Sequence, residues 1–553
     1  MSKKLKWSLI LTGILLITFL YNNIQLAAVV FSDVKYRNAH IGPGNVAVPH
    51  ERTIAWKTHS AFADSVVNSW ASRTVSEKSL DGKGNAPRIL LAKLLVSRDI
   101  PEVNSTIRKL TAWGNCGSSW PLNKKGDYDF TLTILTTIFW MFGDQPELIY
   151  PETHDYLLST LMTEAGNKFS YTAPRTLGLV QETENHMLMT EGSRYLKNRW
   201  IMLHGNKDTF YDNVGNGMER RLLSLLEEMK TSGLYEFNSL PYIGYTITAL
   251  LNLEAFASEK VRTEARNVLD YMNWTYALGS YQLKHYPPMR RRYEKAGITE
   301  ITTDYQSIFM KSWLSFSSVS NFDKDISSGE VHALMGACMP YRPADKVIEK
   351  IFDKSEGYFI KMGHGSVSCP EIYSAGSNFL LSAGGANRGR ASIIVARPIC
   401  LFLNDSSKEL SSVLHLAGPG TDFMKWNNTG VYRNFACAKG PVIVPESFVP
   451  VQKNENWSVY CTKDSLLIAV NSSTDFGLIA LFKNRRADNL IADLMKANPD
   501  VNELKSGFLF PDGIKITYDV SAPQDKWVMI SADGKMLDRN FDKWPLIENN
   551  HGW

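Results

Sequence analysis

The sequence predicts a multidomain protein of α-then-β class, with a helical N-terminal part and an antiparallel β C-terminal part. Its 553 residues are too many for a single hydrophobic core. Apolar residues recur with helical spacing from about residue 53 to about residue 278. After about residue 325 that period gives way to short β-prone runs between turn residues. With 44% hydrophobic and 21% charged residues the composition is that of an ordinary globular chain, which excludes a disordered or polytopic membrane protein. The net charge of +4 is small and owes part to Lys3, Lys4 and Lys6, so no nucleic-acid partner is expected.

At the N-terminus Lys3-Lys4-Leu5-Lys6 precedes an uncharged run over 7–21, then Asn22-Asn23 and a second apolar patch over 26–31. This is the basic-then-apolar order of a secretory signal. If retained, residues 7–31 are long enough to cross a bilayer once as an anchor. Lysines ahead of the run place the rest of the chain outside the cytoplasm, secreted, periplasmic or anchored. The expected organisation is therefore a signal or single membrane anchor over 1–31, a helical domain over 32–325 and a β domain over 326–553.

Helices are expected over 55–74, 88–96, 130–141, 151–162, 184–203, 218–230, 241–257 and 261–278, joined by links rich in Gly, Pro, Asn and Asp. Short links imply antiparallel hairpins, and stripes buried side by side give a bundle, a solenoid or a closed toroid. A polar stretch over 318–330 suits a linker. Strands are expected over 357–362, 371–374, 378–382, 391–396, 457–460, 465–470, 476–482, 514–520 and 527–530, with helices over 343–352 and 489–496. Six widely spaced cysteines include no CxxC pair, and five follow residue 330, which allows one or two disulfides there.

The stretch most informative about chemistry is Gln181 to Trp200, where Thr183 suits an N-cap and Leu188, Gly192, Tyr195, Leu196 and Leu203 recur as one packed face. Asn185 and His186 then fall in the first helical turn, where unpaired N–H groups and the helix dipole favour an anion. Read alone, such a pair is also an ordinary helix cap, and Asn550-His551 repeats the dipeptide. The second stretch is Glu236 to Thr246, where Ser239 suits a cap, Pro241 the first turn, and Tyr242 and Tyr245 share a face at i, i+3. A phenol there acts as a base only if its pKa falls from about 10.

Together, TENHMLMTEGSRYL and EFNSLPYIGYT resemble the paired signatures of the heparinase II/III-like and oligoalginate-lyase-like polysaccharide lyases. The resemblance implies an (α/α) toroid of helical hairpins followed by a C-terminal antiparallel β-sandwich. It implies an exported enzyme that cleaves a uronate-containing acidic polysaccharide or oligosaccharide by β-elimination. In that chemistry Asn185 donates to the substrate carboxylate, His186 assists or takes the proton, and Tyr242 acts as base or acid. His364, in Gly363-His364-Gly365-Ser366, matches the histidine that the family draws from its β domain, with Tyr373 near it in sequence. That context lacks the acidic residue of metal-containing relatives, so no zinc site is carried over and no cofactor is expected.

Substrate-binding candidates are Tyr245, Tyr373, Trp120, which offers an indole face for a sugar ring, and Arg290 and Arg292, which offer bidentate donors to carboxylates or sulfates. Lys124 and Lys125 also suit a sugar cleft, and Asp129 suits a helix cap. Two alternatives stand beside the lyase. Glycoside hydrolysis needs two facing carboxylates, for which Glu182, Glu184, Glu191, Asp127 and Asp129 are available. A non-catalytic, surface-anchored carbohydrate-binding or structural protein would keep only the shell.

Overall fold

The computed structural model describes residues 2–22, 44–52, 56–80, 83, 85–120, 122–240, 242–286, 289–290, 299–363, 370–384, 394–395, 399–417, 430–522, 526–540 and 543–549. Its helices are α1 (Lys3–Asn22), α2 (Ala61–Ala71), α3 (Ala86–Leu95), α4 (Ile100–Ile107), α5 (Asp129–Phe142) and α6 (Pro151–Tyr156). They continue as α7 (Glu184–Leu203), α8 (Met218–Ser232), α9 (Ile243–Phe256), α10 (Glu259–Gly279), α11 (Tyr305–Leu314), α12 (Glu330–Cys338), α13 (Asp345–Phe352) and α14 (Leu490–Ala497). Helices thus dominate the N-terminal part and strands the C-terminal part, as the change of apolar period predicts.

Three central helices run in the same direction. Asp129 meets His186 at the starts of α5 and α7, and Phe139 meets Trp200 near their ends. Phe130 meets Tyr245 at the starts of α5 and α9, and Thr137 Oγ1 donates to Asn252 Oδ1 further along (2.8 Å). Helix α7 packs on more than the single face expected from its spacing. Every residue from Glu184 to Asn198 is buried, and its charges are satisfied internally, as where Arg194 Nε donates to Glu191 Oε2 (2.9 Å). Leu203, placed by spacing on the packed face, is instead 59% exposed at the helix end. Gly192 does face α9, where a Cβ would stand 3.6 Å from Leu253, an ordinary contact.

The strands of the three larger sheets are β1 (Tyr358–Met362), β2 (Glu371–Gly376), β3 (Phe379–Gly384), β4 (Ile399–Leu403), β5 (Leu414–Leu416), β6 (Val431–Tyr432), β7 (Phe435–Ala438) and β8 (Val442–Ile443). Then follow β9 (Gln452–Lys453), β10 (Trp457–Cys461), β11 (Leu467–Ser472), β12 (Gly477–Phe482), β13 (Gly507–Leu509), β14 (Lys515–Tyr518), β15 (Met529–Ala532), β16 (Lys535–Met536) and β17 (Glu548–Asn549). A seven-stranded sheet has the order β8-β5-β4-β3-β2-β1-β17, a six-stranded sheet β6-β7-β12-β11-β10-β9, and a four-stranded sheet β13-β14-β15-β16. All the pairings are antiparallel.

The seven-stranded sheet is a middle layer. Along β1, Tyr358, Ile360 and Met362 join the core of the helices, while Phe359 joins the core shared with the six-stranded sheet. Tyr373 and Ala375 against Ile372 in β2, and Leu380 against Phe379 and Leu381 in β3, divide in the same way. The two-residue side-chain period thus serves two apolar faces at once, which is why these strands read as continuous hydrophobic runs. Helical packing continues beyond the expected 325/326 boundary. The polar stretch 318–330 connects α11 to α12, which pack on each other, and α13 packs on α10.

Cys116, Cys338, Cys437 and Cys461 are free thiols, no disulfide joins two cysteines among the described residues, and Cys369 lies outside them. Helix α1 exposes Leu5, Trp7, Leu9, Leu11, Leu15 and Ile17. No helix among the described residues is long and apolar enough to cross a membrane.

Candidate functional site

The first turns of α5, α7 and α9 meet at one end of the parallel set. Thr183 takes the N-cap position of α7 with extended backbone, yet its side chain caps no N–H. Its hydroxyl donates instead to Asn185 Oδ1, which orients the amide. Asn185 is 1% exposed, and its Nδ2 has no hydrogen-bond partner. Buried amides are normally satisfied, so this donor faces the one kind of group the surroundings do not supply, an acceptor.

His186 lies between two carboxylates. Its Nδ1 is 2.6 Å from Asp129 Oδ2, while Nε2, 3.8 Å from Asp127 Oδ1, is beyond hydrogen-bond reach. Burial works against the charged imidazolium, but the Asp129 carboxylate, by its charge and its hydrogen bond, pushes the pKa up to about 10, with Glu182 and Asp127 adding to the effect. Burial pushes the Asp129 carboxyl up, opposed by His186, and the pair holds one proton between Nδ1 and Oδ2. At neutral pH His186 is thus a cation with Nε2–H available, suited to neutralising an anion rather than to removing a proton.

Asp127 is fixed by its own loop. Its backbone is left-handed at φ 73°, an uncommon conformation for a residue with a side chain. Its N–H donates to Gly117 O (2.8 Å), and Ser119 N–H donates to its Oδ1 (2.8 Å). The Lys83 ammonium pairs with Asp127 Oδ2 and lies 5.1 Å from the Phe130 ring centroid. Phe130 in turn stands edge-on to His186 (5.4 Å) and to Tyr245 (4.5 Å) and ties the three helix starts together.

The two sequence signatures touch directly. Glu236 N–H donates to Glu184 Oε1 (2.7 Å), which fixes the segment before α9 to the start of α7. Tyr242 occupies the N-cap position of α9, half-buried, and its N–H donates to Ser239 O (3.1 Å). Asn238 Nδ2 donates to Glu371 Oε2 at the start of β2 (3.0 Å), so the same segment also reaches the sheet.

The remaining expected site residues are placed as follows. Trp120 is half-buried on the loop that carries Asp127, with Nε1 donating to Pro174 O (2.9 Å). Lys124 and Lys125 are exposed. Tyr373, expected to bind substrate, is instead 0% exposed between helices and sheet. Its ring packs on Gly279 and its hydroxyl donates to Glu371. The backbone of Arg290 pairs with Ile394, but its side chain, Arg292 and His364 lie outside the described residues. Asp129, expected as a cap, is the first residue of α5 and holds His186 instead.

Asp127, Asp129 and His186 each offer one ligand atom, all within 4.8 Å of one another, a spacing that a divalent cation can use. Several of these atoms, however, are already engaged: Nδ1 with Asp129 Oδ2, Asp127 Oδ1 with Ser119 N–H, and Asp127 Oδ2 in an ion pair with Lys83, though it accepts no hydrogen bond. Asp129 Oδ1 has no hydrogen-bond partner. The set fits an ion-pair network better than a metal cage.

The acids of the hydrolase alternative have structural partners too. Glu182 accepts from Ser118 N–H (2.9 Å) and Thr183 N–H (3.0 Å), and Glu191 accepts from Ser170 N–H (3.0 Å) and Arg194. Sequence reasoning missed the parts of Lys83 and Phe130. Asp127 and Asp129 stood out only as a loop with a helix cap and as spare acids, not as the support beneath His186. Compared with protein-family models, with curated proteins and with solved structures, the chain matches none.

Proposed function

We propose that the chain is a carbohydrate-active lyase that cleaves uronate-containing acidic polysaccharide by β-elimination. The observation that carries the reading is the junction of helix starts. Glu184, Glu236 and Phe130 hold Asn185-His186 and the Tyr242-Tyr245 turn at one end of three parallel helices. The buried Nδ2 of Asn185 and the charged imidazolium of His186 are the donors that neutralise the substrate carboxylate and stabilise the enolate-like transition state. With His186 held charged, proton removal falls to Tyr242 at the start of α9. The proton on the carbon beside the carboxylate passes to Tyr242. The electron pair forms the carbon–carbon double bond, and the glycosidic oxygen leaves with that proton, returned to it by Tyr242, as a free hydroxyl.

The same reading carries an (α/α) toroid for the helical part and a β-sandwich for the strands. Export rests on Lys3, Lys4 and Lys6 ahead of the exposed apolar face of α1. The test is to incubate the chain from about residue 35 with alginate, heparan sulfate, chondroitin and pectin and to follow the ultraviolet absorbance of an unsaturated uronate. The absorbance is expected to rise with at least one of them. Its absence with all four rejects the reading. New reducing ends without the chromophore assign hydrolysis instead.

A further inference from the structure

We propose that the first turns of α3, α9 and α12 form a carboxylate subsite whose anchor is Arg88 and whose ligand is the acidic group of a uronate sugar. Arg88 is the third residue of α3 and only 4% exposed. No carboxylate pairs with its guanidinium among the described residues, and its Nε has no hydrogen-bond partner. Burial pulls the guanidinium's pKa down, opposed only in part by the phenols of Tyr245 and Tyr305. Tyr245 presents its ring 6.0 Å from Arg88 Cζ, a contact that is weak at that range.

Four other buried cations among the described residues are paired. Lys93 pairs with Asp99, Lys284 with Asp405 and Leu403 O, Lys311 with Asp323 and Asp325 O, and Arg194 with Glu191 and Glu164. A buried, unpaired guanidinium is costly, and it retains five N–H donors in a planar fork matched to a carboxylate.

His332 is the second unpartnered group. It is the third residue of α12, 1% exposed, and its Nε2 has no partner. The ring lies between Tyr305 (4.2 Å), Tyr245 (5.1 Å) and Phe309 (5.5 Å) and rests on Gly244, where a Cβ would stand 2.4 Å from Cε1. Burial, with Arg88 beside it, holds this imidazole neutral. Arg88, Tyr245 and His332 each occupy the third position of a helix, as His186 does in α7, so four positive helix ends bear on one region. Tyr245 and Phe130 connect it by ring contacts to His186. The subsite therefore takes an acidic sugar next to the one bound at Asn185 and His186. The choice of a uronate rests on the lyase reading; the unpaired donors do not.

The test is equilibrium titration calorimetry of the full chain with sodium glucuronate, glucose and sodium sulfate. A monosaccharide is not cleaved, so failure of the lyase reading leaves this result intact. Glucuronate is expected to bind at least about tenfold more tightly than glucose, the effect of charge-assisted hydrogen bonds. Arg88→Met is expected to reduce glucuronate to the level of glucose, and Arg88→Lys to weaken it about tenfold, because an ammonium lacks the fork. Equal binding of glucuronate and glucose, no glucuronate binding, sulfate binding as tight as glucuronate, or unchanged affinity in either variant would overturn the proposal. Should Arg88→Met not fold, Arg88→Lys and the glucuronate-to-glucose ratio of the parent remain decisive.

Discussion

Asp129→Asn isolates the support beneath His186. The substitution preserves size at a position that is 0% exposed and removes the charge 2.6 Å from Nδ1. The raised imidazole pKa, about 10 against an ordinary 6.5, corresponds to about 5 kcal/mol in favour of the folded state. Burial of the Asp129 carboxyl offsets part of that. Removing one partner of a buried pair costs about 3–5 kcal/mol, and that is the loss expected near pH 7. Because the folded pKa lies above the unfolded one, the contribution is present in full below pH 6.5 and is lost as pH rises through about 10. Urea unfolding followed by tryptophan fluorescence at pH 6, 8 and 10.5 measures the gap between parent and variant in the first transition. The gap should narrow at the highest pH. A variant within about 1 kcal/mol of the parent at neutral pH, or a gap independent of pH, would refute the ion-pair description.

Two further outcomes follow from the same geometry. Gly244→Ala forces a methyl group against the buried His332 ring and should destabilise by about 1–3 kcal/mol despite the better helix propensity of alanine; a melting temperature equal to the parent's would count against the packing described. Zinc or manganese should leave the melting temperature unchanged, because Lys83 and the Asp129–His186 bond occupy the donors; stabilisation by several degrees that grows in Lys83→Ala would instead establish a metal centre.

The helices with strong apolar period were legible in the sequence. Residues 184–203 coincide with α7, and 218–230 and 261–278 fall within α8 and α10. Helices α11 and α12 were not anticipated. Both are buried along most of their length, so they show no polar face from which a period stands out, and Gly336 lets them pack closely at Ser312. The strands were legible as runs, but their two-faced burial was not, since an uninterrupted apolar run does not say which layer covers each side.

At the site, Asn185 and His186 were legible from the dipeptide at a helix start. Their supports were not, because Asp129 and Phe130 lie more than fifty residues away in the chain and resemble a cap and a core aromatic. Arg88 and His332 escaped notice for a related reason. Nothing in a sequence distinguishes a paired buried cation from an unpaired one, and that difference rests on which helix starts meet.

The measurement that bears most directly on the central claim is the initial rate of unsaturated-uronate formation by the parent, Tyr242→Phe and His186→Ala, on whichever acidic polysaccharide the parent cleaves. The account predicts a steady rise in chromophore for the parent and a loss of about 10²–10⁴-fold in each variant, with folding preserved by circular dichroism. Variants that cleave as fast as the parent would contradict it.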